Sequence, residues 1–192
     1  MLLRQFTVGR PQVELTMMQG PGGTLCRDLR DGRLDALIAP EAFVSPELRF
    51  LALGHEPWVI LAGRAHALSG EGPLPWRALE GQRIAVSGHR DDRPYERAVA
   101  AALEELEVCA ELVRSGPALG EAVQCGDVLL LTTAPRALGR GVSARQLGPP
   151  RTVDFALLWR DEAASPALEA FVSTAGEIAT HTAGPAILRA AA

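Results

Sequence analysis

Leu29-Arg30-Asp31-Gly32-Arg33-Leu34-Asp35-Ala36-Leu37-Ile38 is the stretch whose reading decides the fold. Leu25, Leu29 and Leu34 mark the apolar side of a helix that Thr24 can cap through its hydroxyl. Asp31-Gly32-Arg33 ends that helix, because a glycine just past a helix C-terminus takes the left-handed conformation that stops the coil. Ala36-Leu37-Ile38-Ala39 then runs without a polar break. Such a run predicts a buried strand, and Pro40 stops it. A helix leading straight into a buried strand is half of a parallel α/β unit.

Upstream, Gly20-Pro21-Gly22-Gly23 is a turn. Before it, Val13, Leu15 and Met17 alternate with Gln12, Glu14 and Thr16, and this period of two predicts a strand. Leu2, Leu3 and Phe6 are spaced as on a helix face that stops at Gly9-Arg10-Pro11. The order is helix, strand, helix, strand. A domain of this kind normally opens on a strand, so an initial strand is expected that this stretch does not hold.

Downstream, residues 48–53 and 58–61 read as two more strands. The stretch 63–75, rich in Gly, Pro and small polar residues, is the expected boundary between two lobes. A second unit follows. It holds a strand over 83–86, a turn at Ser87-Gly88-His89 and a helix over 94–106. A short strand at 112–113, a helix over 117–124 and a buried strand over 128–131 complete it, the last ending in Thr132-Thr133. A strand over 153–159 and a terminal helix over 166–179, with Leu168, Phe171, Val172 and Ala175 as its stripe, return the chain to the first lobe. The Ala-rich tail after Pro185 is expected to fray.

Composition narrows the function classes. The 192 residues suit one domain or two small lobes, with 47% hydrophobic and 22% charged residues, as in a soluble globular protein. A net charge of -4 does not suggest a nucleic-acid surface, which shows as a basic excess. Lysine and asparagine are both missing, a compositional bias that carries no mechanism. Cys26, Cys109 and Cys125 are an odd, widely spaced set without a CxxC. They read as buried thiols in a reducing compartment rather than a disulfide framework or zinc site. No run approaches the roughly 18 apolar residues of a membrane span. The N-terminus lacks the plan of a signal peptide, so a cytoplasmic location is expected. Neither a cofactor nor a metal is expected.

Several stretches resemble the substrate-binding domain of LysR-type transcriptional regulators. Leu2-Leu3-Arg4-Gln5-Phe6 and Arg10-Pro11-Gln12-Val13-Glu14-Leu15 resemble the family's opening. Residues 20–25 and 29–38 look like its "G....L...L..G.LD.AI" segment, the most specific of the matches. Ala65-His66-Ala67-Leu68 is similar to its "HPLA" element, with Ala67 in place of proline. Residues 73–79 resemble the step before the second lobe, and residues 116–135 its "V..G.G...LP" turn, where Cys125-Gly126-Asp127 has lost one glycine. The winged helix-turn-helix and linker helix that precede this domain in the family are not in the chain, nor is the first strand.

The resemblance implies an α/β, type 2 periplasmic-binding-protein-like fold of two lobes with a central cleft. Lobe I would take residues 1–64 and 151–192, and lobe II residues 65–150. It also implies a side-by-side homodimer in which residues 2–19 form much of the interface. DNA would be contacted only through the helix-turn-helix module.

Ligands of open α/β sheets bind beyond strand C-termini and at helix N-termini. Four turns meet that description: Gly23-Thr24, Pro40-Glu41, Ser87-Gly88-His89 and Thr132-Thr133. Two come from each lobe. Backbone N–H groups and hydroxyls of this kind favour a small carboxylate, while Glu41 would repel an anion or take a cationic group. Each residue also has a plainer reading: Thr24 as an N-cap, Ser87 and His89 as turn residues, Thr132 and Thr133 as a strand end. His55 and His66 have no partner at metal spacing and read as structural or exposed. No GxSxG, HExxH, P-loop or GxGxxG occurs, and Ser115-Gly116 lacks the elbow pattern. Asp91-Asp92, between Arg90 and Arg93, reads as a solvated loop. The function expected is therefore effector sensing without catalysis. A transporter's solute-binding protein, an enzyme on the same fold and a truncated non-functional fragment are the competing readings.

Overall fold

The computed structural model describes residues 2–87, 90–115, 119–133, 141–163 and 165–181. In chain order its elements are α1 (Leu2–Gly9), α2 (Gly22–Arg30), β1 (Ala36–Pro40), β2 (Leu48–Pro57), β3 (Val59–Gly63), β4 (Leu74–Pro75) and β5 (Arg83–Ser87). Then come α3 (Arg93–Glu105), β6 (Glu111–Ser115), α4 (Leu119–Cys125), β7 (Leu129–Thr132), β8 (Val142–Gly148), β9 (Thr152–Arg160) and α5 (Pro166–His181). They form two compact units. One comprises Met1–Glu56 with Asp154–Ala192, the other Pro57–Val153.

In the first unit the sheet order is β1-β9-β2. β1 runs antiparallel to β9, from Ala36 opposite Trp159 to Pro40 opposite Phe155. The core gathers Leu2, Leu53, Leu157, Ala175 and Ile178. Leu2 and Phe6, four residues apart, are the buried face of α1. Phe6 meets Phe171 of α5 edge-on, with ring centroids 5.0 Å apart. α2 ends as the sequence predicts. Leu29 is fully buried, Gly32 adopts φ 77°, and Arg33 N–H donates to the Asp28 carbonyl at 2.8 Å. The helix stops at Arg30, so Leu34 lies beyond it.

The strand expected over 12–17 does not form. Residues 14–21 lie outside any helix or strand, and Leu15, Met17 and Met18 are 39%, 60% and 58% exposed. Alternation makes a strand only where a neighbour supplies its hydrogen bonds. No described strand pairs with this segment.

The second unit is a mixed sheet in the order β4-β8-β3-β7-β5-β6. β5 is parallel to β6 and β7, whereas β3 is antiparallel to β7 and β8. β3 is buried along its whole length. Trp58, Ile60 and Ala62 join the cluster that includes Val99 and Leu103 of α3, and Leu61 joins the one around Val123 of α4. A strand covered on both faces is apolar throughout, so Val59-Ile60-Leu61-Ala62 does not alternate.

Two departures from the sequence reading involve β8, which the sequence does not announce. Its Val-Ser-Ala-Arg-Gln-Leu-Gly has no apolar run, and only Leu147 is buried. Its polar side chains tie down the stretch expected to separate the lobes. Arg145 donates to the carbonyls of Gly72 at 2.9 Å, Leu68 at 3.2 Å and Pro73 at 3.4 Å. The Ser143 hydroxyl donates to Ala62 O and accepts from Gly70 N–H, both at 3.3 Å. Residues 63–75 are thus part of the second unit, and β3, expected in lobe I, is a strand of that unit's sheet. Trp58 N–H donates to Arg151 O at 2.9 Å, so the two segments that bound the unit run side by side.

Of the thiols, Cys26 is buried but Cys109 and Cys125 are exposed, against the expectation of three buried cysteines. Burial pushes the Cys26 thiol up, opposed by the positive charge of Arg30 and reinforced by Glu47. Among the described residues no helix is long and apolar enough to cross a membrane.

Candidate functional site

In the first unit, Gly23 and Thr24 lie in the first turn of α2, Gly23 buried and Thr24 half-buried. The residue at the N-cap position is Pro21, and no side chain caps the helix. Capping is therefore not the role of Thr24. Pro40 ends β1 and Glu41 opens a 3-10 turn to Phe43, both half-buried. The ring of Phe43 lies on the start of α2 so closely that a Cβ at Gly22 would stand 2.8 Å from two of its carbons. That contact brings Gly23, Thr24, Pro40 and Glu41 into one corner of the unit. Glycine at position 22 is what allows the ring to reach the helix backbone.

In the second unit, Ser87 ends β5 and Thr132 ends β7. These strands are parallel neighbours, with Ile84 opposite Leu129 and Ala85 opposite Leu130. Carried forward, that register sets Ser87 level with Thr132. On the other side of β5, Ser87 is opposite Ser115 of β6. Three adjacent strand ends thus carry hydroxyl residues at one level. Thr132 is half-buried and Thr133 buried. Gly88 and His89 lie outside the described residues. The sequence around Ser115 lacks a nucleophile elbow. Only strand register, which the sequence does not display, places it beside Ser87.

His66 accepts a hydrogen bond from Leu68 N–H on its Nδ1 at 3.0 Å, and His55 is exposed. Asp92 is 5% exposed, so Asp91-Asp92 is not the solvated pair its flanking arginines suggest. Arg114 is paired with Glu96 at 2.6 Å. Among the described residues, no group of three His, Cys, Asp or Glu could hold a metal ion.

Two mixed α/β units, with the chain leaving the first for the second and returning, define a domain of the type 2 periplasmic-binding-protein-like class. The family model described as LysR substrate binding domain matches residues 1–179, and the chain belongs to that family, a ligand-binding domain of transcriptional regulators.

Solved structures agree on the fold. The effector binding domain of QuiR, in complex with shikimate, superposes with a TM-score of 0.74 at 16% identity, covering 94% of this chain and 89% of that one. CbnR, a LysR family transcriptional regulator, gives a TM-score of 0.74 at 17% identity over 93% of this chain. The chain spans 64% of the length of CbnR. The regulatory domain of Synechocystis CcmR, in complex with 2-PG, gives 0.66 at 16% identity, covering 93% and 89% of the two chains. At such identities the likeness is one of fold. No curated protein matches the chain.

Proposed function

We propose that this chain senses a small-molecule effector for a LysR-type regulator. The residues we assign to effector binding are Gly23, Thr24, Pro40 and Glu41, together with Ser87, Gly88, His89, Thr132 and Thr133. The observation that carries the reading is the level row of strand ends at Ser87 and Thr132, beyond which open α/β sheets take their ligands. The family match supports it, as do the relatives of this fold solved with shikimate and with 2-PG.

A small carboxylate is the favoured class. The first turn of α2 has no side-chain cap, and a helix start carries partial positive charge. The protein works by binding, without catalysis, in the cytoplasm. It acts as a homodimer, for which the exposed Val8, Leu15, Met17 and Met18 supply an apolar surface, and reaches DNA only through a helix-turn-helix module.

The test is a thermal-shift screen against aliphatic and aromatic carboxylates and amino acids. A ligand at 100 times its Kd adds about 2.7 kcal/mol to the stability of the folded state. Thr132→Val and Ser87→Ala should weaken the response of the best ligand and leave the ligand-free melt unchanged. A folded protein that nothing in the panel stabilises refutes the sensing role. Equal affinity in both variants removes these two residues from the site.

A further inference from the structure

A groove of about 310 Å³ lies on the flank of the second unit, and none of the described residues of the proposed effector site lines it. Trp58, Ala102 and Leu106 form its apolar part, with Pro150 and Thr152 beside them. Glu105 and Arg151 also line it and pair at 3.2 Å, with side chains 67% and 48% exposed. The volume corresponds to roughly ten water molecules, at the small end of ligand pockets.

The charge pattern selects the occupant. A guanidinium has five donors, and the pair with Glu105 is made through Nη1 of Arg151. The rest of the fork can take a carboxylate in the two-pronged geometry arginine favours. A lone anion would meet Glu105 at the same place, and a lone cation would meet Arg151. A zwitterion satisfies both: its carboxylate on Arg151, its ammonium on Glu105 and an apolar side chain against Trp58, Ala102 and Leu106.

We propose that this groove is a second small-molecule site, for a free α-amino acid with an apolar side chain. Its walls include both segments through which the chain enters and leaves the unit, near Trp58 and Pro150 to Thr152, together with the last turn of α3. An amino acid bound there fastens both connecting segments to one helix. The proposal goes beyond effector sensing and does not depend on it.

The experiment titrates the full chain with L-leucine and L-phenylalanine, by calorimetry and by ligand-observed NMR. 4-Methylpentanoate and isoamylamine serve as analogues that each lack one charge. Saturable binding is expected from at least one amino acid, weakened about tenfold or more in both analogues. Arg151→Gln and Glu105→Gln should each weaken it by a similar factor, with unchanged melting temperatures because both side chains are well exposed. Thr132→Val should leave it alone. Three outcomes overturn the proposal: no saturable binding up to about 10 mM, the weak edge of measurable affinity; equal binding by both groove variants; or binding lost in Thr132→Val, which would move the ligand to the strand-end site.

Discussion

Replacing Gly63 with alanine should damage the second unit more than any other one-carbon change described here. Gly63 ends β3 against the C-terminal backbone of α4, where an added Cβ would stand 2.6 Å from Gln124 O and closer still to Val123 O. Ordinary carbon–oxygen contacts need about an ångström more. Both obstacles are main-chain atoms, so no rotamer change relieves the clash. Either β3, buried along its length between β7 and β8, or α4 must shift. Overpacking of this kind costs about 1–3 kcal/mol, and a rigid obstacle puts Gly63→Ala at the upper end. For a domain of this size, ~3 kcal/mol lowers the melting temperature by roughly 6–12 °C. Gly120→Ala is the control. It adds the same carbon in α4, where nothing lies within 4 Å, and a glycine-to-alanine change inside a helix gains at most about 1 kcal/mol. Urea unfolding followed by tryptophan fluorescence reports this unit through Trp58 and Trp76. A Gly63→Ala variant as stable as Gly120→Ala would refute the reasoning.

Other expectations follow from single contacts. Gly22→Ala should displace the Phe43 ring and lower stability by about 1–3 kcal/mol, read by calorimetry, with weakened effector response at the same corner. Ellman's reagent should find two fast thiols, Cys109 and Cys125. Cys26 should react only on unfolding, because burial both shields it and pushes its thiol up. Arg145→Met should loosen residues 68–73, leaving Gly70 held to β8 by Ser143, seen as faster proteolysis within that loop at little change in the melt of the sheet. Met17→Lys combined with Leu15→Lys should abolish the proposed self-association in sedimentation without unfolding the chain. Duplex DNA should not bind this chain at physiological salt, given its net charge of -4, and a salt-dependent gel shift would contradict that.

The sequence made much of this architecture readable because local chemistry and burial agree. The glycine stop after Arg30, the apolar run of β1 and the stripe of α5 each point one way, and each element stands within a few residues of where it is expected. β8 stayed hidden for the opposite reason. Its role is to hydrogen-bond a loop through Ser143 and Arg145, and a strand doing polar work leaves no hydrophobic period to detect. The 12–17 segment misleads in the other direction, alternating as a strand does while pairing with nothing described. The turns of the candidate site were visible one by one, since strand ends and helix starts have local signatures. Their grouping was not. Phe43 on Gly22 joins residues 21 positions apart, and Ser87 stands level with Thr132 only through the register of two strands.

The hydrogen bond between Trp58 N–H and Arg151 O has a consequence for how such a chain can be cut and rejoined. The second unit begins and ends at neighbouring points of the backbone, so everything between forms a closed excursion from its host. A short turn joining these points would restore the host's continuity, and the excised segment could be joined to itself into a circle. Related chains could then exchange this segment whole.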